Sequence, residues 1–241
     1  MRTSIAIAAV ITVAGTSAAQ TYTFDGLAHG EILTNQLEPA LTISGQNFAQ
    51  SFDIVAVFDT QTMGGPDPDL QGPPWSGGNL AVSNTEVVIG NAIILAENDV
   101  DANNDGILDN PDDEAARPAG LVDLGFASPI PVFGLDIVDI EGVVEESSNL
   151  QFFAGGSLVG TVDFTDFTDN GSAYFDPTVS FGNNSANRIS PIVATDFGVA
   201  GFDRVVINVG GSSAYDTFVV PAPASAAIAG VAGLASVRRR R

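Results

Sequence analysis

Residues 150–164 read LQFFAGGSLVGTVDF, and this stretch decides the fold class. Gln151, Phe152 and Phe153 make one short run, Leu158 and Val159 open another, and Gly155-Gly156 separates them. Adjacent glycines supply the paired positive φ angles of a two-residue hairpin loop, so the stretch predicts two antiparallel strands on a tight turn. Similar Val/Ile/Phe-rich runs lie on either side, at residues 51–58, 86–95, 121–126, 132–140 and 202–209, each cut off by Gly, Asn, Asp or Pro. Residues 163–176, rich in Asp, Thr and Phe, read as an edge strand and loop. No window keeps a helical period over three capped turns, and no repeat is evident. Short strands without helices predict an all-β fold, a β-sandwich of jelly-roll type in which each sheet hides the other's apolar face.

The two ends read as addresses. Arg2, an apolar run over residues 5–15 and the small residues Thr16, Ser17, Ala18 and Ala19 predict a signal peptide over 1–19, cut by signal peptidase so that the mature chain starts at Gln20. Residues 220–241 read VPAPASAAIAGVAGLASVRRRR. Their apolar run is shorter than the roughly 20 residues of a spanning helix, and the terminal arginines hold that end on the cytoplasmic side. Val220, Pro221, Ala222, Pro223, Ala224 and Ser225, ahead of a short Ala/Gly/Leu helix and an Arg cluster, resemble the sorting signal of PEP-CTERM proteins, with Pro-Ala-Pro where the family has Pro-Glu-Pro. The resemblance implies an envelope protein held transiently in the inner membrane and then cut by an exosortase-type transpeptidase. An ordinary tail anchor is the competing reading. The expected plan is a signal peptide (1–19), a β-sandwich (20–219) and a sorting tail (220–241).

Charge is concentrated between the ends. All 29 acidic residues lie in the body, against Arg117, Arg188 and Arg204 and no lysine, a balance of −26. Such self-repulsion opposes compaction unless cations screen or bind it, and it excludes nucleic acid as a partner. There is no cysteine, so no disulfide staples the exported body.

Within an acidic insertion at 98–118, Asp101, Asn103, Asp105, Gly106, Ile107 and Asp109 occupy positions 1, 3, 5, 6, 7 and 9 of a calcium-binding loop, and Asp112 falls at position 12. Alternation turns the carboxylates toward one point, Gly106 permits the sharp turn and Ile107 offers its carbonyl. Pro111 and Pro118 rule out a following helix, so the segment resembles the loops of dockerins or thrombospondin type 3 repeats more than a true EF-hand. The expected cofactor is calcium; a solvated acidic insertion is the alternative.

A second acidic loop, residues 58–80, carries Asp67 and Asp69 among Gly and Pro and reads as surface rather than core. Its Trp75 has two readings: an exposed indole that stacks on a sugar together with Asp67 and Asp69, or a plug folded back on the sandwich. A third acidic stretch, Asp139, Glu141, Glu145 and Glu146, reads as a solvated hairpin end, with a further ion contact as the alternative. The Phe24-Asp25 opening, the Phe58-Asp59-Thr60 and Asp67-Pro68-Asp69-Leu70 segments and the closing Gly211-Ser212-Ser213-Ala214-Tyr215-Asp216 are similar to exported PEP-CTERM sandwiches and to carbohydrate-binding jelly rolls. In the latter, an acid on the first strand and one on the last share a structural calcium; the resemblance implies Asp25 and Asp216 for that role.

Catalytic options are few. His29 is the sole histidine and reads as an exposed turn residue; no Gly-x-Ser-x-Gly elbow accompanies it, and without Cys or Lys neither thiol nor Schiff-base chemistry is available. The expected function is therefore non-catalytic: a calcium-stabilised surface or extracellular-matrix protein, with a carbohydrate-binding module or a two-carboxylate polysaccharide-acting enzyme as alternatives.

Overall fold

A computed structural model describes residues 19–65, 67–81 and 86–221. Its strands are, in order, β1 (Ala19–Tyr22), β2 (Leu41–Asn47), β3 (Val55–Asp59), β4 (Asn91–Leu95), β5 (Gly120–Ile130), β6 (Val132–Val138), β7 (Asn149–Ala154), β8 (Ser157–Asp163), β9 (Ala186–Val193), β10 (Phe202–Val209) and β11 (Ala214–Pro221). They form two antiparallel sheets, β3-β4-β11-β6-β9 with β1 also on β11, and β2-β5-β10-β7-β8. The chain is all-β, with a one-turn helix, Val143–Glu146, and two 3-10 turns. Gly155 and Gly156 adopt φ of 59° and 75° and join β7 to β8 as the sequence predicts.

Strand alternation builds two apolar layers. Between the sheets, Val57, Ile93, Leu124, Phe133, Phe152, Phe202, Ile207, Tyr215 and Phe218 are buried. The rings meet at offset or edge geometries that suit their quadrupoles: Phe152 lies 4.6 Å from Phe202 and 6.3 Å from Phe133, and Phe133 lies 5.7 Å from Phe218. The opposite face of the first sheet is apolar too, through Ala56, Phe58, Ala92, Ile94, Val138 and Ala214. The loops after β3 and β4 cover it with Leu70, Trp75, Leu80, Ile89 and Leu108. Burial on both faces explains why β3 and β4 are continuous apolar runs.

That second layer corrects the reading of residues 58–80 as surface: the Pro/Gly-rich segment carries core side chains. It corrects residues 163–176 as well. Asp163 and Asp166 cap each other's backbone and close a 3-10 turn, Phe164–Phe167, that buries both phenylalanines where a strand would have turned only one inward.

The first and last strands pair directly, with Ala19 opposite Pro221 and Tyr22 opposite Phe218. The strand therefore continues through Val220 and Pro221, past the expected boundary at 219. Ala222, Pro223, Ala224, Ser225, the rest of the tail and residues 1–18 lie outside the described residues.

Phe152→Ala should destabilise the body by about 3–5 kcal/mol, whereas Met63→Ala on the surface should change it by less than about 0.5 kcal/mol. Urea denaturation followed by Trp75 fluorescence measures both.

Candidate metal centre

Three acidic segments that are far apart in sequence converge where β4 and β6 end and β9 and β11 begin. Asp113 is set by a backbone bridge to Ala96 just beyond β4, and its carboxylate accepts from the Ser213 N–H ahead of β11. Asp112 precedes it, with its carbonyl accepting from Glu97 N–H at 2.9 Å. Asp139 follows β6 in the left-handed region, φ 67°, where its carboxylate accepts from Asn184 N–H at 2.5 Å and Ser212 Oγ at 2.8 Å. The Asp67–Gln71 segment is clamped against them: Asn184 Nδ2 donates to the carbonyls of Asp69 and Gln71 at 2.8 and 2.9 Å, and Asn183 Nδ2 donates to Asp69 Oδ2 at 3.0 Å. Asp67, Asp69, Glu97, Asp112, Asp113, Glu141 and Ser212 line the resulting cleft of about 250 Å³.

Two carboxylate triples there each bring three oxygens within 4.8 Å of one another: Asp67, Asp112, Asp113, and Asp69, Asp139, Glu141. Crowding and burial act on their protons. Burial, reinforced by Asp113 and Asp69, pushes the Asp67 carboxyl far up, while contact with Asp67 lowers Asp69. Burial raises Asp113 and Asp112, and it takes Asp139 up to about 6 against the donors on its oxygens.

No family model, curated protein or solved structure matches this chain. Its site is defined by its own geometry.

The calcium-like loop is well turned. Asp101 accepts from the N–H groups of Asp105 and Gly106 at 3.1 and 2.9 Å, Asn103 from Asp105 N–H at 3.1 Å, Asp105 from Ile107 N–H at 3.0 Å, and Asp109 from Ala102 N–H at 3.0 Å. Gly106 takes φ 83°. Among the described residues, however, Asp101, Asp105 and Asp109 belong to neither close carboxylate triple, and Asp112, expected at position 12, joins Asp67 and Asp113 instead.

Asp25 and Asp216 come near each other. Asp216 lies where β11 loses β4 as a partner and gains β1, and it is buried beside the Asp136–Arg188 ion pair. Burial takes its carboxyl up to about 7, with Asp136 and Asp25 adding to the rise. Asp25, exposed, accepts from Asn91 N–H at 3.1 Å.

Trp75 takes the plug reading: it is 5 % exposed, lies against Gly72 and donates from Nε1 to the Val87 carbonyl at 2.9 Å, so its indole offers no face to a sugar. Three expectations are corrected. Asp67, expected to join Trp75 at a surface, is buried in the cleft with Asp113. His29 is half-buried, with Nδ1 accepting from Asp59 N–H at 2.9 Å and the ring edge-on to Phe58. The third acidic stretch is likewise no solvated hairpin end, since Asp139 and Glu146 are buried. Spacing did not show that Asp113 and Asp139 converge on one cleft; the strand order brings them together.

These raised carboxyls set a sign for pH dependence. Above the unfolded carboxylate range of about 4, the folded state still holds protons on Asp139 and Asp216 that the unfolded chain has released, so stability falls as pH rises toward their values of about 6 and 7. In chelator, Tm should decline from about pH 5 to about pH 8 by calorimetry; an increase over that interval contradicts the assignment.

Proposed function

We propose that this chain is a non-catalytic, calcium-stabilised exported protein of the cell surface or extracellular matrix, sorted through its tail by an exosortase-type system. The observation that carries the reading is the fate of the arginines. Arg117 pairs with Glu141 and Glu146, Arg188 with Asp136, and Arg204 with Asp123. All three body arginines are thus committed to four carboxylates, and among the described residues the other 25 of the 29 have no ion-pair partner. A disulfide-free body of this charge is held compact by cations from its surroundings, and hard oxygen ligands suit calcium.

The loop Asp101–Asp109 fits that ion: its carboxylates and the Asn103 amide are already oriented by backbone donors around the Gly106 turn. Asp25 and Asp216, brought to one strand junction, are a second place for the same chemistry. The strand order β4-β11-β6-β9 over β5-β10-β7-β8, with successive strands alternating between sheets except at the β7–β8 hairpin, supports the jelly-roll reading. With Trp75 buried, the carbohydrate-binding alternative loses its aromatic anchor.

Calcium should raise Tm of the purified body and a chelator should reverse it; at a free concentration 100-fold above Kd the gain is about 2.7 kcal/mol. An Asp101→Ala, Asp105→Ala double variant should keep the fold and lose part of that gain. A chain ending at Pro221 should melt like the full-length body yet fail to be retained in the membrane fraction. A Tm indifferent to calcium, or a tailless chain retained normally, sinks the corresponding half of the reading.

A further inference from the structure

We propose that Asp67, Asp112 and Asp113 bind one calcium-class divalent cation at a site separate from the 101–109 loop. This rests on the reading of the body as cation-stabilised and assigns one of those ions a place in the cleft between the sheet end and its covering loops.

The neighbouring triple provides the contrast. Around Asp69, Asp139 and Glu141 the protein supplies its own donors: Asn183 to Asp69, Asn184 and Ser212 to Asp139, Arg117 and Asn183 to Glu141. At the first triple the provision is incomplete: Asp113 accepts from Ser213 N–H, but among the described residues nothing donates to Asp67 Oδ2, although Asp67 is 95 % buried. A buried carboxylate oxygen without a donor is costly, and natural structures meet it with a proton or a metal. Asp113, also buried, and Asp112 face the same point, and no described arginine pairs with them.

Size and chemistry narrow the ligand. Oxygens bound to one calcium at 2.3–2.6 Å stand up to about 5 Å apart, whereas around magnesium at 2.0–2.1 Å they reach only about 4 Å. The three carboxylate oxygens lie within 4.8 Å of one another, inside the span that one calcium ion can bridge. All donors are oxygen, which excludes a preference for soft metals. The ligands are placed before the ion arrives: the Ala96 bridge holds Asp113, the Glu97 N–H holds Asp112, and Gln71 Nε2 donates to the Asp67 carbonyl at 3.0 Å. Three fixed carboxylates and an open cleft leave the remaining positions to water and to Glu97.

Isothermal titration with Ca2+ and with Mg2+, on the metal-stripped full body, separates this site from the loop. Asp67→Asn should bind one calcium fewer than the parent. Asp112→Asn, at a half-buried position that carries little folding risk, should weaken the same site at least tenfold. The Asp101→Ala, Asp105→Ala variant should retain it. Magnesium should compete poorly. If Asp67→Asn and Asp112→Asn both bind as many calcium ions as the parent with unchanged affinity, the cleft assignment is overturned while calcium stabilisation through the loop stands. If the loop variant binds normally and the cleft variants do not, the loop assignment fails and the cleft stands.

Discussion

Carboxylates that the fold brings together without enough positive charge to balance them are the constraint on which this structure depends. Three arginines serve a body of 29 acids, and each lies in a defined ion pair. Arg188 grips Asp136 through Nε and Nη2 at 2.8 and 2.7 Å between β6 and the edge strand β9 of the first sheet, and Arg204 does the same to Asp123 on the second. These forks pin register, since a one-residue slip would leave the strand carboxylate unpaired. Elsewhere the protein answers negative charge with neutral donors: backbone N–H groups, Asn183 and Asn184, Ser212 and Ser213. At Asp67 that supply runs out.

The covering loops reconcile acidity with packing. Segments 60–81 and 97–118 each alternate between an apolar anchor, such as Leu70, Trp75 or Leu108, and an acid at the cleft or in the calcium-like loop. The anchors bury the outer face of β3 and β4, and the same docking forces the acids close. Hydrophobic burial at about 25 cal/mol per Å² can hold such a layer down. It cannot neutralise it, so any cation bound there would be thermodynamically linked to loop docking: an ion in the cleft would tie the β3–β4 loop, the β4–β5 loop and the strand ends together, as a disulfide would.

Much of the fold was legible in the sequence. The Gly155-Gly156 turn and the strand over 202–209 form where their patterns place them, because both depend on local rules. β2 (LTISGQN) and β9 (ANRISPIV) escaped notice since their outward residues are polar and Pro191 interrupts the second. The candidate site was legible only in pieces. Asp67, Asp69 and Asp112 stood out as members of acidic runs, but their meeting with Asp113, Asp139 and Glu141 is set by strand order, which no local pattern encodes. The calcium-loop spacing matches the turn around Gly106, whereas the grouping of Asp112 with Asp67 and Asp113 depends on the bridge of Asp113 to Ala96. His29 shows the same limit: its partial burial against Phe58 is a tertiary outcome.

The central claim, that bound cations complete this fold, is tested most directly by elemental analysis of the exported protein after dialysis into metal-free buffer. Calcium retained in stoichiometric amount, and removed only by a chelator with accompanying loss of near-UV circular dichroism, is the predicted result. A metal-free dialysate with an unchanged near-UV spectrum would contradict the account.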